Sequence, residues 1–252
     1  MLITLALLTG CLFVSTGARA QQPLVADLDT HQIAIRSTFT GTELLLFGAI
    51  EAAPGKSLAG DERGDVIIVV RGPASDITVR KKSRVGPIWV NTEAVTFDTI
   101  PGFYAVLSTR PLDQIAPAPL LRRHDLGIER VLAGTKIDEA HQEFRSALVR
   151  TRKADGLFIE DHQGFRFVGG KLFRARISLP ANVPVGTYKV QAFLIRDGQV
   201  AGAQFSPLFV DKVGVELQIY RLAHNLPWLY GLMAVLLAVA AGWGTAILFR
   251  ER

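Results

Sequence analysis

The sequence predicts a mainly β protein. It reads as an immunoglobulin-like β-sandwich ectodomain of one or two lobes with a helical connector, plus one C-terminal transmembrane helix. Three observations carry this. Short apolar runs separated by Gly and Pro turns fill residues 24–110 and return after residue 156. One stretch between them has helical periodicity. The last apolar segment, Trp228 to Phe249, is 22 residues long and carries no charge.

Residues 1–20 read as a signal peptide. Leu2 to Val14 is apolar, and Ala18-Arg19-Ala20 follows as a small-x-small cleavage pattern that would leave Gln21 first. At 1.5 Å per residue the apolar run is roughly 20 Å long, short of a bilayer core of ~30 Å. No Lys or Arg precedes it. A rival reading is a lipobox, Leu8-Thr9-Gly10-Cys11, with Cys11 acylated. Cys11 is the single cysteine of the sequence. Cleavage after Ala20 would leave no thiol for a disulfide, a nucleophile or a metal site.

Residues 21–110 read as a β-sandwich lobe. Ile33 to Arg36 and Glu43 to Ile50 have strand character, and Val66 to Val70 is a continuous β-branched run of the kind covered on both faces. Ile77 to Arg80, Ile88 to Val90, Ala94 to Phe97 and Phe103 to Leu107 follow as four further strands. The separators are Pro54-Gly55, Gly72-Pro73, Gly86-Pro87 and Pro101-Gly102. Trp89 is expected in the core.

Residues 111–155 read as a helical connector. Thr135 to Asp138 is a capping-box pattern, and Ile137, Ala140, Phe144, Ala147 and Leu148 share one helical face. Arg150, Arg152 and Lys153 complement the negative end of the helix dipole, and Gly156 ends it. Residues 156–220 read as a second β lobe. Leu157 to Ile159 and Phe165 to Val168 are expected to flank a hairpin turn that holds Glu160-Asp161-His162. Phe173 to Leu179 alternates. Arg196-Asp197-Gly198-Gln199 signals a type I′ turn between Tyr188–Ile195 and Val200–Val210. Pro101-Gly102-Phe103-Tyr104 is echoed by Val185-Gly186-Thr187-Tyr188, a setting similar to the tyrosine corner of immunoglobulin-like sandwiches. The echo favours two lobes; one composite sandwich is the alternative.

Residues 227–249 read as the transmembrane helix. At 1.5 Å per residue, Trp228 to Phe249 spans roughly 33 Å, and Trp228 and Tyr230 stand where an interfacial aromatic belt belongs. Arg250 and Arg252 on one side are balanced by Lys212 and Arg221 on the other, so the leader sets orientation. It exports the ectodomain and leaves residues 250–252 as a cytoplasmic tail. Ala234, Ala238, Gly242 and Ala246 recur every four residues, a small-residue ridge along which an integral membrane protein or a second copy would pack.

The formal net charge of +5 is spread thinly. Setting aside Arg19, Arg250, Glu251 and Arg252 leaves 25 basic and 22 acidic residues, which gives no case for nucleic acid. The densest charge is Arg80, Lys81, Lys82 and Arg84, with Arg71 upstream. On a hairpin these would attract anionic lipid head groups or an anionic solute, or simply guard a sheet edge. His31, His124, His141, His162 and His224 form no metal-ligand spacing, and no phosphate loop, nucleophile elbow or dinucleotide fingerprint occurs. The expectation is a protein without cofactor or enzymatic activity.

Five segments together carry a family resemblance. They are Phe39-Thr40-Gly41-Thr42-Glu43-Leu44-Leu45-Leu46-Phe47-Gly48, Val69-Val70-Arg71-Gly72-Pro73, Ile88-Trp89-Val90-Asn91, Pro101-Gly102-Phe103-Tyr104 and Pro180-Ala181-Asn182-Val183-Pro184-Val185-Gly186-Thr187-Tyr188. With the terminal helix, they make the chain resemble the alpha-proteobacterial putative transmembrane protein family. The resemblance carries no functional residues over. It implies a periplasm-facing inner-membrane protein and, by association with sulfite-exporter-type permeases, an accessory role in transport.

Overall fold

A computed structural model describes residues 23–52, 55, 63–132, 141–213, 222–224 and 226–248. Residues 1–20 with Cys11, Pro54, the expected capping box at Thr135–Asp138 with Ile137 and Ala140, Arg221, Phe249 and residues 250–252 lie outside the described residues.

Twelve strands and five helices are described. A four-stranded antiparallel sheet has the order β1-β3-β10-β9, from β1 (Leu24–Leu28), β3 (Gly41–Ile50), β10 (Leu172–Pro180) and β9 (Phe165–Val168). Along β10 the burial alternates, with Phe173, Ala175, Ile177 and Leu179 inward and the arginines between them outward. That alternation is the period-2 signature of a sheet covered on one face.

The second sheet has the order β2-β12-β11-β4-β7-β8. Its strands are β2 (Gln32–Ile35), β12 (Gln199–Lys212), β11 (Gly186–Arg196), β4 (Asp65–Arg71), β7 (Tyr104–Ser108) and β8 (Phe158–Asp161). The central pairings are antiparallel, and the two edge pairings, β2 with β12 and β7 with β8, are parallel. Val66 to Val70 and every residue of β7 are buried, as continuous apolar runs require of strands covered on both faces. The four-stranded sheet covers one face. The helical connector, α1 (Leu112–Ile115), α2 (Ala118–Arg123), α3 (Ile128–Val131) and α4 (Gln142–Ala154), lies along the other and buries Leu112, Ile115, Leu121, Leu126 and Ile128.

Strands from both halves of the sequence share both sheets: β10 pairs with β3, and β11 with β4. The described residues therefore form one composite sandwich around one core rather than lobes at 21–110 and 156–220. Three further readings need correction. Ile88–Val90 and Ala94–Phe97 belong to one strand, β6 (Ile88–Pro101), which pairs with β5 (Ala74–Val85) as a separate two-stranded ribbon. Residues 158–161 and 165–168 do not form a hairpin but cross from one sheet to the other. The turn between them is tied by Asp161, whose carboxylate accepts the N–H of Gln163 at 2.7 Å and of Gly164 at 3.0 Å. Trp89 is not in the core; it is 67% exposed.

The Asp197-Gly198 turn has the type I′ form, with φ of 49° and 70°. The echo of Tyr104 and Tyr188 has a structural counterpart, because β7 and β11 flank β4 on its two sides. Tyr188 Oη donates to Pro184 O at 2.6 Å, four residues upstream, a tyrosine corner. Tyr104 Oη instead donates to Asp125 O at 3.0 Å and accepts Gly127 N–H at 2.9 Å, tying the sheet to the connector.

Helix α5 (Pro227–Leu248) is uncharged, and residues 227–245 are long and apolar enough to cross a membrane. None of that span is buried against the sandwich. An apolar helix left wholly exposed needs another apolar phase, and a bilayer supplies it.

Candidate functional site: the β5–β6 ribbon

The ribbon begins where β4 ends. Arg71 pairs with Lys189 on β11, and Gly72-Pro73 then leads into β5. The last strand, β12, leaves the same end of the sheet, with Val210 opposite Gly186 at the start of β11. The ribbon and the chain running on to α5 thus exit within about two strand spacings, roughly 10 Å, of each other. The 12 residues of β5 give the ribbon a length of roughly 40 Å.

Its base is packed. Phe97 and Ile100 are buried, and Ile77, Val79 and Val95 pack on the core. Its tip is not. Val85, Ile88 and Trp89 are 55%, 59% and 67% exposed around the Gly86-Pro87 turn. Gly86 has φ of 63° and open space around it. A Trp, an Ile and a Val at one solvent-exposed turn form an apolar tip with no protein cover among the described residues.

Strand alternation divides the basic patch. Arg80, Lys82 and Arg84 fall on one face, opposite Ala94, Asn91 and Trp89. Lys81 falls on the other, where its ammonium meets Glu143 of α4 at 3.0 Å. That contact raises the Lys81 pKa, first through the hydrogen bond and then through the charge of Glu143. Three of the four thus line the open face, and Lys81 braces the ribbon against α4. Arg71 is separate again. It is half-buried, and its guanidinium donates to Gln191 Oε1, His124 O and Asp125 O.

On α5, Ala234, Ala238 and Gly242 are exposed, and an added Cβ at Gly242 meets nothing, so the ridge is open to another helix. Ala246 continues the helix, with its side chain outside the described ones.

No three His, Cys, Asp or Glu side chains converge on a metal-sized site among the described residues. One Ser–His contact occurs: Ser108 Oγ lies 2.8 Å from His162 Nδ1. The Ser108 hydroxyl is buried and donates to Arg110 O at 2.7 Å, so it accepts from Nδ1 rather than giving up a proton to it. This is the reverse of a nucleophile and its base.

A family model described as "Putative transmembrane protein (Alph_Pro_TM)" matches residues 23–251. No curated protein and no solved structure matches the chain.

Proposed function

The chain belongs to this family of putative transmembrane proteins, and on that premise we propose that it is a non-enzymatic accessory subunit of an inner-membrane transport complex. In this reading α5 anchors the β-sandwich in the periplasm and leaves the C-terminus cytoplasmic. Its Ala234–Ala238–Gly242 face packs on an integral membrane protein, for which a sulfite-exporter-type permease is the candidate class. The ribbon reaches the same partner from outside the bilayer. The observation that carries the reading is the apolar tip of Val85, Ile88 and Trp89, on an arm that leaves the sandwich at the same end as the last strand, β12. An exposed Trp at a projecting turn is a residue type that becomes a buried hot spot in interfaces.

A second reading is favoured by the open face of the ribbon. Arg80, Lys82 and Arg84 beside Trp89 suit anionic lipid head groups and the aromatic belt of a bilayer, and the tip would then rest in lipid.

Affinity purification of the full chain from native membranes tests the subunit role. Ala238→Leu with Gly242→Leu, and separately Ile88→Ser with Trp89→Ser, are each expected to lower recovery of a co-purifying membrane protein at least tenfold. This matches the ~2 kcal/mol that truncating a buried aromatic anchor removes. Unchanged recovery with both pairs would reduce the helix to a plain anchor and the tip to bare surface.

A further inference from the structure

We infer that the outer face of β9 and β10 is an anion site, built from Arg166, Arg174 and Arg176, for the phosphate or sulfonate group of a small ligand. Arg166 and Arg174 lie directly opposite each other across the β9–β10 pairing, and Arg176 follows on the same face of β10. With Gln163 and Gly164 they line a cavity of about 310 Å³. Like charges directly opposite on one sheet face repel, and a sequence shaped only for stability would interleave a carboxylate.

Arg110 in the loop after β7, Arg130 on α3 and Arg145 on α4 each meet a carboxylate. No ion pair or side-chain hydrogen bond satisfies Arg166, Arg174 or Arg176 among the described residues. The carboxylate of Asp161 is engaged by two backbone N–H groups, and Glu43 stands opposite Ser178, one pair further along the face than Arg176 and its neighbour Leu45.

Three guanidinium groups from three positions offer more donors than one planar carboxylate can use. A tetrahedral oxyanion with three free oxygens matches them, and Arg binds such groups through paired N–H donors. The cavity is at the lower end of small-molecule pockets, so it has room for an organic moiety beyond the anionic group. Phe47, half-exposed and opposite Arg174, supplies an apolar wall for that moiety. Phosphate chemistry could come from a soluble ester or from a phospholipid head group. The site stands independently of the accessory-subunit reading, since it involves neither the ribbon nor α5.

The test uses the full chain in an uncharged detergent and in nanodiscs. Glycerol 3-phosphate, inorganic phosphate and glycerol are titrated in detergent, with binding read by calorimetry and by thermal unfolding. Nanodiscs of phosphatidylcholine with and without phosphatidylglycerol form the lipid arm. Binding of glycerol 3-phosphate but not glycerol is expected, weakening at least tenfold in Arg174→Gln with Arg176→Gln and weakening with salt. If only the phosphatidylglycerol nanodiscs stabilise the protein, and the double variant removes that effect, the same site takes a lipid head group. Arg166→Gln alone should leave the unliganded protein at least as thermostable as the wild type, because it relieves the repulsion across β9–β10. Equal binding by wild type and double variant, or no response to any probe, overturns the site. So does a fall in unliganded stability in Arg166→Gln.

Discussion

Gly48→Ala is expected to cost the full-length protein on the order of 3 kcal/mol of stability, and Gly48→Val to prevent the sandwich from forming. Gly48 is in the interior of β3, with Ala26 of β1 on one side and Phe173 of β10 on the other. A Cβ there would clash with the Val25 carbonyl oxygen and lie 2.5 Å from Phe173 Cζ. The first contact is backbone in a paired strand and cannot give way without opening the β1–β3 ladder. The second is a ring that is almost wholly buried and stacked on Phe165 at 5.3 Å. Phe173→Leu should restore only part of the loss in Gly48→Ala, because it clears the ring and leaves the carbonyl. Denaturant unfolding in detergent, followed by the β signal in circular dichroism, checks this. A wild-type midpoint for Gly48→Val would show that β3 is not held as described.

Arg71→Ala is expected to cost about 2–4 kcal/mol, more than any single change on the exposed ribbon face. Arg71 closes β4 and bonds across to Gln191 and to the two carbonyls at the end of α2. Removing it strands those acceptors in a half-buried seam. Tyr104 belongs to the same seam through Asp125 and Gly127. Burial pushes the Tyr104 hydroxyl up to about 12, against the Gly127 N–H and the charge of Arg71, which both pull it down. The sign follows from the raised value. Below pH 10 the neutral phenol is present in both states and its stabilisation is intact. Above pH 10 the unfolded chain releases the proton first, so stability falls by about 1.4 kcal/mol per pH unit until the folded group titrates near 12. Tyr104→Phe should remove this alkaline loss. The gap between wild type and Tyr104→Phe should therefore narrow from pH 9 to pH 12. A constant gap would contradict the burial of the hydroxyl.

Much of the fold was legible because its signals are local. The unbroken run Val66–Val70 announces a strand covered on both faces, Asp197-Gly198 announces its turn, and 22 uncharged residues announce a span. The residues read wrongly depend on pairing, which is not local. Phe158–Asp161 and Phe165–Val168 have the spacing of a hairpin, yet each finds a better partner in a different sheet. Trp89 looks like core by residue type. The Gly86-Pro87 turn beside it was the better guide, since a tight turn between strands that pair only with each other leaves its flanks in solvent. The split between Lys81 and its three basic neighbours was available from strand alternation alone. Arg174 and Arg176 could be seen to share a face, but Arg166 joins them only through the β9–β10 register. An interior strand glycine such as Gly48 marks close approach without saying to what.

The role of the ribbon as the contact element of a membrane-anchored subunit is tested most directly by placing a photo-crosslinking amino acid at Ile88 in the full chain in native membranes. The predicted result is one discrete adduct with an integral membrane protein, lost when the crosslinker is moved to the buried base of the ribbon at Phe97. Lipid adducts alone would place the tip in the bilayer and contradict the subunit role. Absence of any adduct would contradict a contact of either kind.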